Sequence, residues 1–305
     1  MSKPVLLAHP GLGAFEGLFA AHYEVTRLPA DPATCRARAA VTIGSIGLPA
    51  AALRAMPDLK LIACFGAGVD GIDRALCAER GIAVTNCPAI NHEDVADVAV
   101  GLIISVTRHI AAGDRMVRAG GWSGPLAFPP APRLRGRKLG VVGLGAIGLA
   151  LAARAVAHGL DVRWTGPRPK PDAPYSFESD LQTLAAWSDI LAVCAPGGPA
   201  TDGLIDARTI AALGPNGILI NVARGSLVDE DALIAALKSG QLGGAGLDVF
   251  AQEPTPPARW ADVPNVTLTP HLGGATREAI IESAQLVLEN VRRFFAGEPL
   301  ATPLP

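Results

Sequence analysis

Residues 138–165 read KLGVVGLGAIGLALAARAVAHGLDVRWT, and the fold turns on how this stretch is read. A β-branched apolar run, Leu139–Val142, leads into a glycine-rich turn, then an Ala/Leu-rich helical segment, then a second strand at Asp161–Trp164. The turn spaces Gly143, Gly145 and Gly148 as GxGxxG. In that pattern the first glycine allows a tight turn, the second lets the backbone approach a pyrophosphate, and the third lets helix and strand pack closely. A helix opening at Ala146 and Ile147 points free N–H groups and the positive end of its dipole at phosphate. The order strand, glycine turn, helix, strand therefore predicts a dinucleotide-binding unit on a parallel sheet.

The same rhythm extends in both directions. Downstream, strands are expected at Ile190–Ala195, Gly217–Asn221, Gly246–Phe250 and Val266–Thr269. Upstream, they are expected at Val5–Ala8, Tyr23–Arg27, Val41–Ile43, Leu59–Phe65 and Ile82–Asn86, with a helix at Asp73–Arg80 stopped by Gly81. Between the two series, Glu93–Arg118 carries a continuous apolar helical pattern ended by Gly120-Gly121. A loop with four prolines, Trp122–Gly136, follows it. A last helix, about Thr276–Phe295, places Ile280, Ile281, Ala284, Val287, Leu288 and Val291 on one broad face. These segments predict two doubly wound α/β domains: a first domain of residues 1–92 plus 277–305, and a dinucleotide domain of residues 93–276 inserted into it.

Composition limits the function classes. The 305 residues are 50% hydrophobic and 18% charged, enough apolar material for two cores. A net charge of −2 argues against broad electrostatic binding to nucleic acid or anionic membrane. No apolar run reaches membrane-spanning length, and the N-terminus leads straight into a strand-like run, so a cytoplasmic protein without an export signal is expected. Cys35, Cys64, Cys77, Cys87 and Cys194 contain no CxxC pair, which predicts reduced thiols and no metal site. His9, His22, His92, His109 and His158 lack partners at useful spacing and read as ordinary residues. Asn91-His92-Glu93-Asp94 reads as a helix cap.

The choice of nicotinamide cofactor is read at the end of the second strand. NAD enzymes usually place Asp or Glu there for the ribose hydroxyls. Here Trp164-Thr165-Gly166-Pro167-Arg168-Pro169-Lys170 has no acid and two cations. Arg168 suits a 2′-phosphate and Lys170 supports it as a point charge, so NADP(H) is favoured, with NAD(H) as the alternative.

Three later strands each end in a residue suited to keto-acid chemistry. Arg224 follows ILIN, Glu253 follows the Gly246–Phe250 strand, and His271 follows VTLT. Carboxyl ends of parallel strands line the ligand crevice, so the three are expected to converge. An imidazole, with an ordinary pKa of about 6.5, exchanges a proton at neutral pH. Glu253 orients it and stabilises its charged form. Arg224 grips a carboxylate and polarises a carbonyl oxygen.

GLGAIG (143–148), NVARGSLVDEDAL (221–233), GAGLDVFAQEP (244–254) and TPHLGGAT (269–276) together resemble the D-isomer-specific 2-hydroxyacid dehydrogenases, in family order over nearly the whole chain. The resemblance implies an NAD(P)-dependent enzyme that interconverts a small 2-keto acid and its 2-hydroxy acid in a cleft between two domains, and it implies a homodimer. It also implies that Arg224, Glu253 and His271 are catalytic, and that Ala67 and Gly68, within Phe65–Asp70, offer amides to the substrate carboxylate. Asp248, Gly273, Gly274 and Ala223 join the cofactor contacts on the same grounds. Asn86-Cys87-Pro88, VADVAVGLIISVTR and WTGPRPK look most like NADPH-dependent glyoxylate/hydroxypyruvate reductases and their hydroxyphenylpyruvate relatives. Cys194–Pro199 departs from the family, which usually has Leu-Thr after the proline corresponding to Pro196; that loop lies along the expected cofactor crevice. Two other readings stay open. One is an enzyme that oxidises formate or phosphite, and the other is a non-catalytic NAD(P)-sensing binding protein such as the corepressors of this fold.

Overall fold

The structure is a computed structural model, which describes residues 3–7, 9–27 and 35–305. Ala8, the end of the first expected strand, lies outside the described residues. The chain divides into two compact units, Met1–Ile90 with Arg277–Pro305, and Asn91–Thr276.

The first unit holds strands β1 (Pro4–Leu7), β2 (Glu24–Arg27), β3 (Ala39–Ile43), β4 (Leu61–Phe65) and β5 (Ala83–Thr85). They form one parallel sheet in the order β2-β1-β3-β4-β5, the flavodoxin-like winding. AAVTI and LIACF, at β3 and β4, are buried along nearly their whole length, because a doubly covered parallel strand has no solvent face. The C-terminal helix, Arg277–Ala296, packs on β4. It buries Ala279, Ser283, Ala284, Val287, Asn290 and Val291. The expected face is thus only partly right, since Ile280 and Ile281 stand 38% and 57% exposed. Steps of four carry 279, 283, 287 and 291 along one stripe. Residue 281 lies about 200° round from 279, on the far side.

The second unit holds β6 (Lys138–Val142), β7 (Asp161–Thr165), β8 (Ser176–Phe177), β9 (Ile190–Val193), β10 (Ile218–Asn221), β11 (Gly244–Leu247) and β12 (Val266–Leu268). Its order, β12-β11-β10-β9-β6-β7-β8, is the Rossmann winding with a seventh strand, all parallel. The winding reverses between β6 and β9, where such sheets bind ligands. Two glycines in β11 let a helix lie close. A Cβ on Gly244 or Gly246 would stand 2.6 Å from Val106 Cγ1 or 2.9 Å from Leu102 Cβ. β8 escapes sequence reading because it is two residues long. It is held by Phe177 packing on Trp164, with ring centroids 4.7 Å apart.

The expected single helix Glu93–Arg118 is in fact two, His92–Thr107 and Ile110–Arg118, bent by 64°. The break lies at His109, whose φ of 53° puts it in the left-handed region and ends the hydrogen-bond ladder. Its ring Nδ1 lies 3.0 Å from Asn265 Oδ1, a partner too distant in sequence for local periodicity to reveal. The first helix buries Val95, Ala96, Ala99, Leu102, Ile103 and Val106, whereas the second buries none of its residues. Asn91 occupies the N-cap position, but its side chain makes no cap hydrogen bond. No single helix among the described residues is long and apolar enough to cross a membrane.

Candidate active site

The carboxyl ends of β10, β11 and β12, neighbours in the sheet, carry Arg224, Glu253 and His271. His271 adopts a left-handed φ of 52°, and its N–H donates to the Asp248 carbonyl at 2.8 Å. The ring Nδ1 lies 2.6 Å from Glu253 Oε2. Glu253 Oε1 accepts from the Phe250 N–H at 3.0 Å, so the carboxylate is fixed by its own turn before it meets the ring. Nε2 is the ring nitrogen left for other chemistry, and it has no partner among the described residues. Both side chains are more than a third exposed, 39% and 36%, so solvent screens the pair and it adds little to folding. A costly backbone conformation and a short charge-assisted bond that do little for stability are what a functional site shows.

Asp248 braces this arrangement from below. It is 2% exposed; Oδ1 accepts from Thr269 Oγ1 at 2.6 Å and from the Leu272 N–H at 2.9 Å. Oδ2 accepts from the Gly273 N–H at 2.8 Å. A Cβ on Gly273 would sit 2.8 Å from that oxygen, so only glycine lets the amide come this near. Both carboxylate oxygens therefore staple the loop on either side of His271. Gly274 lies against the Asn91 side chain.

Arg224 follows β10 in a turn held by Asn221. The Asn221 Nδ2 donates to the Arg224 carbonyl at 2.9 Å, and its Oδ1 accepts from the Ala223 N–H at 3.0 Å. The next residue, Gly225, brings the Arg224 turn onto the turn that carries Glu253, because any Cβ there would run into the Phe250 carbonyl. Sequence reasoning missed this contact, and it missed the carboxylate beneath it. Glu230 is buried; Oε1 accepts from the Ala251 N–H at 2.5 Å, and Oε2 pairs with Arg259 Nε at 2.9 Å. The motif NVARGSLVDEDAL contains both residues. Only the fold shows that Gly225 and Glu230 meet the Phe250–Glu253 turn.

On the other side of the switch point, Gly143 is left-handed at φ 93° and closes on Ala195, and its N–H donates to the Thr165 carbonyl at 2.9 Å. Gly148 tolerates no Cβ against the Gly143 carbonyl, whereas the space a Cβ would take at Gly145 is open. Gly145 is the N-cap of helix Ala146–Ala157 and makes no side-chain cap hydrogen bond to the first turn. Lys170 Nζ donates to the Leu144 carbonyl at 2.6 Å, which brings its charge onto the glycine turn. Arg168 is exposed and has no ion pair or hydrogen bond among the described residues. Pro196, past the end of β9, is exposed and accepts from Thr201 Oγ1 at 2.7 Å, while Ala223 is buried.

In the first unit, Ala67 and Gly68 follow β4 in a loop where neither N–H donates a hydrogen bond among the described residues. Consecutive unpaired amides on small residues offer a concavity to an anion. All five cysteines are free and buried. Burial pushes the thiols of Cys64 and Cys194 up to about 12, which leaves them protonated and unsuited to nucleophilic work. Among the described residues, no group of His, Cys, Asp or Glu is arranged to hold a metal ion.

Residues 100–273 match the family model for the NAD binding domain of D-isomer specific 2-hydroxyacid dehydrogenases. The chain is 42% identical over 267 residues to a hydroxyphenylpyruvate reductase of Plectranthus scutellarioides, covering 88% of this chain and 85% of that one. A glyoxylate/hydroxypyruvate reductase of Arabidopsis thaliana is 41% identical over the same shares. Among solved structures, an NADPH-dependent glyoxylate/hydroxypyruvate reductase of Sinorhizobium meliloti, in complex with NADP and malonate, superposes with a TM-score of 0.91. It is 35% identical, over 99% of this chain and 96% of that one.

Proposed function

The chain belongs to the D-isomer specific 2-hydroxyacid dehydrogenases, NAD(P)-dependent oxidoreductases, and we propose that within this family it reduces a small 2-keto acid of the glyoxylate or hydroxypyruvate type with NADPH. The observation that carries the chemistry is the 2.6 Å bond from Glu253 to His271 Nδ1, on a turn against which Gly225, the residue after Arg224, packs. The residues at the switch point fit a dinucleotide: an open face at Gly145, an uncapped helix start, and no carboxylate within Trp164–Lys170 at the end of β7. In this reading residues 93–276 are the cofactor domain, and residues 1–92 with 277–305 are the substrate domain. A homodimer in the cytoplasm belongs to the same reading, and light scattering tests the assembly.

When bound, the reduced nicotinamide supplies the hydride for the carbonyl carbon. Arg224 holds the substrate carboxylate and draws electron density onto the keto oxygen, and the Ala67 and Gly68 amides hold the same carboxylate. His271 gives its Nε2 proton to that oxygen as negative charge gathers there. Glu253 accepts from Nδ1–H and so orients the ring with Nε2 toward the keto oxygen; the ring that gives up the Nε2 proton carries one on each nitrogen, and it is left with the Nδ1 proton that Glu253 accepts. Gly143, Gly145, Gly148 and the amides of Ala146 and Ile147 hold the pyrophosphate, with Pro196, Ala223, Asp248, Gly273 and Gly274 beside the rest of the cofactor.

NADPH is favoured because Arg168 has its guanidinium unengaged among the described residues and because Lys170 adds a second cation at Leu144. Replacing Arg168 with alanine removes a charge-assisted contact, so KM for NADPH rises about tenfold or more while KM for NADH moves less than about twofold. Equal losses with both cofactors would discard the 2′-phosphate argument.

Initial rates with glyoxylate, hydroxypyruvate and hydroxyphenylpyruvate, each with NADPH and with NADH, test the whole reading. Turnover of the two small acids with NADPH preferred supports it. A preference for the aryl acid moves the substrate to the hydroxyphenylpyruvate class, a reading favoured by the 42% identical relative. No turnover with any pair replaces the enzyme reading by the cofactor-binding one.

A further inference from the structure

The loop that presents Ala67 and Gly68 does not hold itself in place. Asn86, just past β5, donates from Nδ2 to the Ala67 carbonyl at 2.7 Å. The Asn86 carbonyl accepts from Thr302 Oγ1 at 2.7 Å. Thr302 is gripped in turn by Asn290, which is 1% exposed on the C-terminal helix: Nδ2 donates to Thr302 Oγ1 at 3.1 Å, and Oδ1 accepts from the N–H groups of Ala301 and Thr302 at 2.9 and 3.3 Å. Pro303 then bridges Thr85 in antiparallel fashion, and the Leu304 N–H donates to the Val84 carbonyl at 2.8 Å. The last residues of the chain therefore run beside β5 as a strap.

The other wall of the loop is backbone. The Gly44 N–H donates to the Phe65 carbonyl at 3.1 Å, the Gly71 N–H donates to the Gly44 carbonyl at 3.0 Å, and a Cβ on Gly44 would strike the Gly68 carbonyl. The amides of Ala67 and Gly68 lie between these two supports and donate to nothing among the described residues. A buried asparagine with every side-chain atom engaged, spent on the C-terminal tail, is costly unless the tail has a task.

We propose that Asn86 and Thr302 are positioning residues for substrate carboxylate binding, and that the C-terminal strap Ala301–Leu304 acts through them to fix the Ala67–Gly68 amides. This rests on the reading that those amides hold the carboxylate. Bonds that preorganise a binding loop lower the ordering cost of binding, so their loss raises KM for the carboxylate-bearing substrate and leaves the hydride and proton steps largely intact.

The test uses the full chain with Asn86→Asp, which keeps shape but cannot donate to Ala67, and Thr302→Val, which keeps shape but loses the bond to Asn86. Glyoxylate is compared with glyoxal, which has an aldehyde in place of the carboxylate. The expected result is a rise in KM for glyoxylate of about tenfold in Asn86→Asp and about threefold in Thr302→Val. In both, kcat and KM for NADPH stay within about twofold, and kcat/KM for glyoxal is unchanged. An unchanged KM for glyoxylate in either folded variant overturns the proposal while the keto-acid reading stands. Equal losses for glyoxylate and glyoxal also overturn it, because the loop would then not act on the carboxylate. If Asn86→Asp does not fold, Thr302→Val decides alone. Failure of the unaltered protein to reduce glyoxylate overturns the functional reading, and this inference with it.

Discussion

On the proposed mechanism, replacing His271 with alanine is expected to lower kcat for 2-keto acid reduction by roughly 10²–10⁴-fold and to leave the affinity for NADPH unchanged. The size follows from the role: without a positioned acid, the alkoxide forming at the keto oxygen must take its proton from water. The cofactor affinity is spared for a structural reason. The loop about His271 is held by its backbone, through Asp248 accepting from Leu272 and Gly273 and through the His271 N–H donating to the Asp248 carbonyl. None of these bonds needs the imidazole. The left-handed φ of 52° at this position is if anything harder for alanine than for histidine, so circular dichroism and thermal unfolding should accompany the kinetics. Glu253→Gln provides the control for orientation. It keeps a hydrogen-bond acceptor near Nδ1 but removes the charge from the 2.6 Å bond that orients the ring, so kcat should fall by less than in His271→Ala while KM for NADPH stays unchanged. Full turnover in His271→Ala would end the assignment.

What the sequence made legible follows the range of the signals. The glycine turn, the strand rhythm and the strand-end positions of Arg224, Glu253 and His271 are local patterns, and they can be read one segment at a time. The pairing that matters within this set, Glu253 with His271, spans two strand ends, and the expected shared sheet edge was enough to anticipate it. The break at His109 was not legible. Its flanks are apolar and helical on both sides, and its partner Asn265 lies on the approach to β12. The exposed Ile280 and Ile281 mark a second limit. An apolar count finds a helix, but the buried stripe is set by which residues meet β4. Gly225, Glu230 and the Asn86–Thr302 chain were missed for a common reason. Each acts by placing backbone against backbone or by holding a backbone N–H or carbonyl, and such work leaves no residue-type signature.

Arg224→Lys should lower kcat/KM for glyoxylate by about 10²–10³-fold, although the formal charge is kept. A guanidinium presents donors in a fixed plane, so one side chain can bind a carboxylate and still aim an N–H at the neighbouring keto oxygen. An ammonium offers a single point of charge on a stem that must be ordered anew, and it cannot span both oxygens at once. The fold should survive the change. Arg224 is tied in through its carbonyl to Asn221 and through the packing of Gly225 on Phe250, and the bond from its guanidinium Nη1 to the Ala223 carbonyl, at 2.7 Å, reaches only the neighbouring residue. KM for NADPH should therefore be unchanged, and melting temperature should shift little. Arg224→Ala sharpens the test, because added guanidinium ion at millimolar concentration should restore part of the lost rate in the alanine variant and none in Arg224→Lys, where the lysine stem fills the space. If Arg224→Lys retained wild-type kcat/KM, a point charge would suffice there. The carboxylate would then have to be gripped chiefly by the Ala67 and Gly68 amides, which would make the strap that holds them the main determinant of substrate affinity.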